Sequence, residues 1–313
     1  MENKLHIDVS PHIGTTRKTT HIMLDVTIAL LPALIAGCII FGMRALLVCA
    51  VTVAFAVASE YLFCVITKRP HTVGDLSSVV TGLLLGLNLP ATAPLWQCAI
   101  GSVFAIIVVK CLFGGIGQNF ANPAVTARVF LLISFAGTLS GGAVPKLASN
   151  PDLVSGATPL AVISKGGILP SLKDMFLGMR GGAIGETCAI ALIVGFIYLV
   201  VRKVIYFETP LVYVATVFLL SLIAYNDFSM ALYQVLSGGL LLGAIFMITD
   251  YSTTPITRSG KMIFAFGCGL ITFLIRYFGS YPEGVSFAIL IMNILSPYIE
   301  IWTRNRPFGG EIK

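Results

Sequence analysis

The chain has 313 residues, 57% hydrophobic and only 11% charged, with a mean hydropathy of +0.93, where an ordinary soluble domain carries about a quarter charged residues. That balance excludes a soluble globular enzyme and predicts an all-α integral membrane protein, one long membrane domain rather than two globular ones. The net charge of +6 reads as an orientation signal, not as nucleic-acid binding.

Residues 1–20 are polar and lack an apolar run ending in a small-residue cleavage site, so no signal peptide is expected and the first span is retained. Apolar stretches long enough to count as spans follow at 21–42, 45–66, 76–89, 94–113 and 122–137, then at 183–203, 207–225, 229–248, 259–277 and 283–302. This divides the chain into a tail with five helices (1–137), an external loop (138–182) and five further helices (183–313). The third and fifth segments are short for a crossing and are bounded by Gly, Pro or Asn. Such breaks are tolerated where the freed backbone is buried in protein or lines a site.

The two halves read as a repeat. Gly82-Leu83-Leu84-Leu85-Gly86 in the third segment recurs as Gly239-Leu240-Leu241-Leu242-Gly243 in the eighth, and Phe113-Gly114 and Phe278-Gly279 end the fourth and ninth. Five is odd, so two five-helix halves would be inverted relative to each other, an architecture that places sites near the midplane. With a cytoplasmic N-terminus, the inner side holds Lys4, Arg17, Lys18, Lys68, Arg69, Lys110, Arg202, Lys203, Arg258, Lys261, Arg304, Arg306 and Lys313. The outer side holds Arg44, Lys146, Lys165, Lys173, Arg180 and Arg276. The bias puts both termini in the cytoplasm and the 138–182 loop outside.

The cysteines, Cys38, Cys49, Cys64, Cys98, Cys111, Cys188 and Cys268, lie in or beside apolar stretches without a C-x-x-C pair, as small buried residues do. An iron–sulfur site built by this chain alone is not expected, and no metal site is assigned. His6, His12, His21 and His71 fall outside or at the edge of the spans, which leaves a buried bis-histidine haem without ligands. No catalytic triad or nucleotide-binding loop is present.

Asp25, Glu60, Glu186, Asp250 and Glu300 sit in or at the edge of apolar segments, where a carboxylate is costly unless paired, protonated or on a cation. Asp250, directly after the second GLLLG segment and before a Thr-Thr-Pro break, is the first candidate for an ion path or a cofactor contact. Glu60 is next and Asp25 third. Glu186 is expected to face the outer loop, and Glu300, beside Trp302 and Arg304, to be interfacial. Arg128, inside the fifth segment, must pair; a carboxylate is the plainer partner and a cofactor oxygen the sharper one. Asn119 and Asn122, three apart, would share a helix face and offer both a donor and an acceptor, or else cap the helix that begins at Pro123.

The external loop carries Asp152-Leu153-Val154-Ser155-Gly156-Ala157-Thr158, a small, polar run with an exposed hydroxyl of the kind a modifying enzyme grips. The plainer reading is a turn before Pro159. Together with Lys110–Phe130, Thr249–Pro255 and Tyr281–Ala288, the run 155–160 carries a resemblance over nearly the whole chain. The sequence resembles the RnfD component of the Rnf complex, the ion-translocating ferredoxin:NAD oxidoreductase. It is similar also to the NqrB component of the sodium-pumping NADH:quinone oxidoreductase, but the short segment before the first span favours the Rnf branch.

The resemblance implies a membrane electron-relay subunit of a redox-driven ion pump in the bacterial inner membrane. It implies FMN joined by a phosphoester to Thr158, with Asp152, Ser155, Gly156 and Ala157 as the motif a flavin transferase reads. It implies a non-covalent riboflavin between helices, near Asn119 and Asn122. Partners would be a second flavin subunit and iron–sulfur subunits, with Na⁺ or H⁺ as the transported ion and NADH oxidation left to other subunits. The alternative is a solute channel on the same inverted-repeat plan, since fold alone does not fix function.

Overall fold

In a computed structural model the described residues are 18–139, 141–145, 155–165, 167, 169–279 and 283–304. Their regular structure is helical apart from one hairpin of two-residue strands, and a helix stands at each of the apolar stretches. Helix α1 (Thr19–Phe41) and helix α2 (Met43–Thr67) are joined by Gly42 alone. Its φ of 78° lies where a side chain would be strained, so one glycine ends the first helix and starts the next. Helix α3 (Ser77–Leu87), helix α4 (Leu95–Cys111, its second half wound as a π-helix) and helix α5 (Pro123–Ser134) complete the first half.

The long connection that follows is folded. Strand β1 (Gly142–Ala143) pairs antiparallel with strand β2 (Ser155–Gly156), and Ala143 also bridges Gly182. Helix α6 (Pro159–Lys165) and helix α7 (Leu172–Leu177) lie beyond. Met175 of α7 is buried against Ala189 and Leu236, and the Tyr233 hydroxyl donates to the Pro170 carbonyl at 2.7 Å. The second half comprises helix α8 (Ala189–Val201), helix α9 (Glu208–Tyr225), helix α10 (Phe228–Leu236), helix α11 (Leu240–Met247), helix α12 (Arg258–Phe278) and helix α13 (Val285–Thr303).

Five of these helices, α1, α2, α9, α12 and α13, are long and apolar enough to cross a membrane. The α10–α11 pair makes a sixth if its 64° bend is one broken span. They leave large apolar side chains such as Ile35, Ile66, Ile223 and Phe278 on the outside, as lipid-facing helices do. Helix α3 is buried nearly all round, which suits a short helix in the middle of a bundle.

The two GLLLG runs differ in structure. In α3, Gly82 and Gly86 form a seam against α2, where an added Cβ would stand 2.7 Å from Val53 Cα and 3.0 Å from Cys49 Cα. In the second half the run begins at the break between α10 and α11, and Gly243 packs against Val285 of α13. Gly114 has a φ of 117° while Gly279 is extended at −87°. The sequence repeat therefore does not carry the same local contacts in both halves.

Candidate functional site

The chemistry-bearing side chains gather in two places. The first is a cleft lined by α1, α3, the start of α5 and the turn after α11. Met23, Val26, Leu84 and Phe246 supply apolar walls, and Ser77, Lys110, Asn119, Asn122, Asp250 and Ser252 supply polar ones. Asn122 caps α5: its Oδ1 accepts from the Ala124 and Val125 N–H groups at 3.0 and 3.3 Å, with Pro123 at the first helical position. Its Nδ2 donates to Asp250 Oδ2 at 3.2 Å, so the cap also ties the two halves together. The Asn293 amide of α13, with its oxygen toward Asn122, accepts the Asn122 N–H at 3.0 Å and donates to the Thr253 carbonyl at 3.3 Å.

Asn119 lies upstream of the helix, and its Nδ2 donates to the Ala121 carbonyl at 3.0 Å. The expectation that Asn119 and Asn122 share a helix face is corrected, because Pro123 starts the helix and Asn119 is in the preceding turn. Both still line the cleft. Asp250 was expected to need an ion, a proton or a cofactor to satisfy it. It instead accepts from the Ser252 N–H and hydroxyl, the Thr253 hydroxyl and Asn122, in a tight turn of its own.

Glu60 of α2 faces Lys110 of α4, with Nζ 2.8 Å from Oε1. The Thr72 hydroxyl donates to the same oxygen at 2.7 Å, and Lys110 also donates to Ser77 Oγ at 2.5 Å. Glu60 Oε2 is buried without a partner among the described residues. Lys110 is therefore no loop charge, as the orientation count took it, but half of a buried pair. The signal was present in sequence, since a lysine within Ile-Ile-Val-Val-Lys-Cys-Leu-Phe cannot stay unpaired in an apolar segment. Asp25 of α1 accepts from Tyr198 at 3.0 Å and Arg202 at 3.1 Å.

The second place lies at the other end of the fold, around the 155–160 run. Thr158 is 5% exposed, not on an open loop as expected. Its Oγ1 accepts the Ala161 N–H at 3.3 Å, capping α6, and the hairpin just before it is tied to Gly182 through Ala143. Ser155 and Gly156 form β2, and Ala157 is exposed. Asp152 lies outside the described residues.

Arg128 of α5 takes the plainer of its two expected partners: its Nη2 is 2.9 Å from Glu283 Oε2. Glu186 does not face outward but is buried, with Oε1 accepting the Ala183 N–H at 3.0 Å. Arg180 and Arg276, counted as outer-loop charges from sequence, are also enclosed. Arg180 donates to the Glu186 and Thr187 carbonyls at 2.7 and 3.4 Å. Arg276 donates to the Gln234 and Ser237 carbonyls at 2.5 and 3.0 Å, which the break between α10 and α11 sets free. Arg276 too could have been noticed within Phe-Leu-Ile-Arg-Tyr-Phe. Glu300 is half-buried near the end of α13, beside the exposed Trp302.

Broken helices, a buried ion pair and arginines enclosed at one end define a multi-pass membrane protein that handles charge inside its bundle. The chain belongs to the NQR2, RnfD, RnfE family, whose model matches residues 6–309. It is 46% identical over 312 residues to the D component of the Na⁺-translocating ferredoxin:NAD⁺ oxidoreductase complex of Acetobacterium woodii, covering 98% of this chain and 96% of that one. It is 38% identical over 323 residues to the D component of the proton-translocating ferredoxin:NAD⁺ oxidoreductase complex of Clostridium ljungdahlii, covering 98% and 97%. With the D component of the ion-translocating oxidoreductase complex of Stutzerimonas stutzeri it shares 39% over 324 residues, covering 92% and 91%. The branch favoured from sequence is the one these relatives bear.

Proposed function

We propose that this chain is the membrane electron-relay subunit of an ion-translocating ferredoxin:NAD⁺ oxidoreductase complex, holding FMN in phosphoester linkage on Thr158 and riboflavin non-covalently in the cleft at Asn119 and Asn122. The observation that carries the reading is the near-full-length similarity to subunits of such complexes, in a chain that also has the Ser155–Pro159 run. The bundle would cross the membrane ten times as two inverted halves, with both termini cytoplasmic and Thr158 on the outer side. The named relatives divide between Na⁺ and H⁺, and either ion is compatible with the residues here.

Both sites fit their groups chemically. The cleft has apolar walls and a few convergent polar atoms, as planar cofactor sites do. The Asn122 and Asn119 amides offer donor and acceptor atoms to a ring edge. Near the Thr158 segment, buried guanidinium N–H groups of Arg180 and Arg276 have no partner among the described residues and suit a negatively charged group.

Bound flavins would supply the electron transfer itself. The protein's own work is positional. Thr158 offers the hydroxyl for the phosphoester, and the closed hairpin then keeps water away from the attached group. Asn122 and Asp250 hold the two halves in fixed register at the cleft. Glu60 and Lys110 hold a buried charge pair that joins α2 to α4. Partner subunits carrying flavin and iron–sulfur centres would deliver and remove electrons, and a flavin transferase would load Thr158.

Fluorescence of the denatured chain in a gel, followed by the mass of the peptide containing Thr158, tests this reading. A flavin-bearing band and peptide are expected. A dark band would favour a solute channel on the same plan.

A further inference from the structure

Arg180 Nη1, Arg276 Nε, Ser237 Oγ and Thr187 Oγ1 are all buried with no hydrogen-bond partner among the described residues. These four atoms belong to one neighbourhood. Arg276 donates to the Ser237 carbonyl and Arg180 to the Thr187 carbonyl, and the buried Glu186 carboxyl links the two places, lying 2.8 Å from a Cβ added to Gly182 and 3.4 Å from one added to Gly239. Their remaining donors go to neutral carbonyl oxygens, and neither forms an ion pair among the described residues. An unmade hydrogen bond on a buried charged group costs more than one on a neutral group, so several together call for a partner, and a bound anion would satisfy them.

The Thr158 segment touches this neighbourhood on both of its flanks. A Cβ added to Gly181, next to Arg180, would lie 3.3 Å from the Ala157 carbonyl oxygen. One added to Gly238 would meet Leu160 Cδ1 at 2.7 Å and Arg276 Nη2 at 3.1 Å. Gly238 itself has a φ of 63°, so the missing side chain is enforced by backbone conformation as well as by space.

We propose that Arg180 and Arg276, with the Ser237 and Thr187 hydroxyls, form an anion cradle that holds the flavin nucleotide attached to Thr158. This rests on the reading that Thr158 carries that nucleotide. The shared chemistry is an oxyanion, which either the phosphodiester or the carbonyl edge of the reduced ring supplies. The two arginines are positioning residues, and the break between α10 and α11 frees the Ser237 carbonyl to which Arg276 of α12 donates.

The test uses the intact complex in membranes. Ser237→Ala removes an atom that has no partner among the described residues, and Arg180→Lys keeps the charge but loses the fork. Both are therefore expected to insert and to retain the flavin on the Thr158 peptide by mass. If the ring edge sits in the cradle, an equilibrium redox titration should show the tethered flavin about tenfold harder to reduce in Arg180→Lys, the loss of one charge-assisted hydrogen bond. If the phosphodiester sits there, the titration is unchanged and the fluorescence anisotropy of the tethered flavin falls in both variants. Unaltered titration and anisotropy in both, with the flavin attached, would overturn the cradle. A wild-type peptide without flavin would instead overturn the attachment on which it rests. In a host lacking the flavin transferase, Ser237→Ala should be no less heat-stable than the wild type, which separates the cradle from a folding role.

Discussion

Lys110 Nζ lies 2.8 Å from Glu60 Oε1, in a pair whose side chains are only 4% and 1% exposed. It joins α2 to α4 within an apolar bundle, beside a second small cleft lined by Phe63, Arg69, Thr72 and Asp75. Removing one partner strands the other charge, which costs roughly 3–5 kcal/mol in a buried setting. Lys110→Met is expected to lower the melting temperature of the detergent-solubilised complex sharply, and Lys110→Met with Glu60→Leu to recover most of the loss. Equal melting of the single and double variants would show that the pair is not energetically coupled.

Thr158→Ala should abolish the covalent flavin while the chain still inserts, and Thr158→Ser should keep it. The cost to stability is about 1 kcal/mol, the usual effect of losing a helix-capping hydroxyl, here the acceptor for the Ala161 N–H. Mass spectrometry of the loop peptide checks both variants. Asp152→Ala is expected to reduce loading if the transferase reads the upstream acid. Because Thr158 is 5% exposed in the folded chain, loading of purified, folded, flavin-free protein should be slower than loading during synthesis.

A cysteine at Ser164, an exposed position on α6, should react with an impermeant maleimide in whole cells when the native cysteines are replaced. Reaction only after the membrane is opened would reverse the orientation read from the charges.

Asp250→Asn keeps the size of the side chain but removes the charge that Asn122, Ser252 and Thr253 converge on. Non-covalent flavin extracted from the complex is expected to fall several-fold while covalent flavin is retained, and Asn122→Ala should do the same. Loss of ion-dependent turnover with both flavins in place would assign Asp250 to the ion path instead. Full ion-stimulated activity and full flavin content would give it neither role.

Gly86→Val should prevent stable assembly, because a Cβ there would stand 2.6 Å from Thr52 Oγ1 and 3.0 Å from the Cys49 backbone. Overpacking against backbone costs about 1–3 kcal/mol or more. Gly74→Ala, where nothing among the described residues lies within 4 Å, is the neutral control, read by yield of the complex after purification.

Apolar runs made the helices legible in the sequence, because in a bilayer each backbone group must be satisfied within its own segment and only long apolar stretches can do so. The family and the Thr158 run were legible too, since they depend on residue identity alone. Partnership was not. Lys110 and Arg276 sit near the ends of apolar runs and Arg180 in the long connection, so in sequence each counts only as a charge on one side, and only the packing of distant segments shows what encloses them. Glu60 and Lys110 are fifty residues apart, and Asn122 and Asp250 more than a hundred. Thr158 is likewise buried although its segment is polar, beside a hairpin that pairs residues distant in sequence. A span is a local property of one segment, set by its composition. Whether a charge within it is paired, or a hydroxyl covered, depends on which other segments the fold brings within a few ångströms.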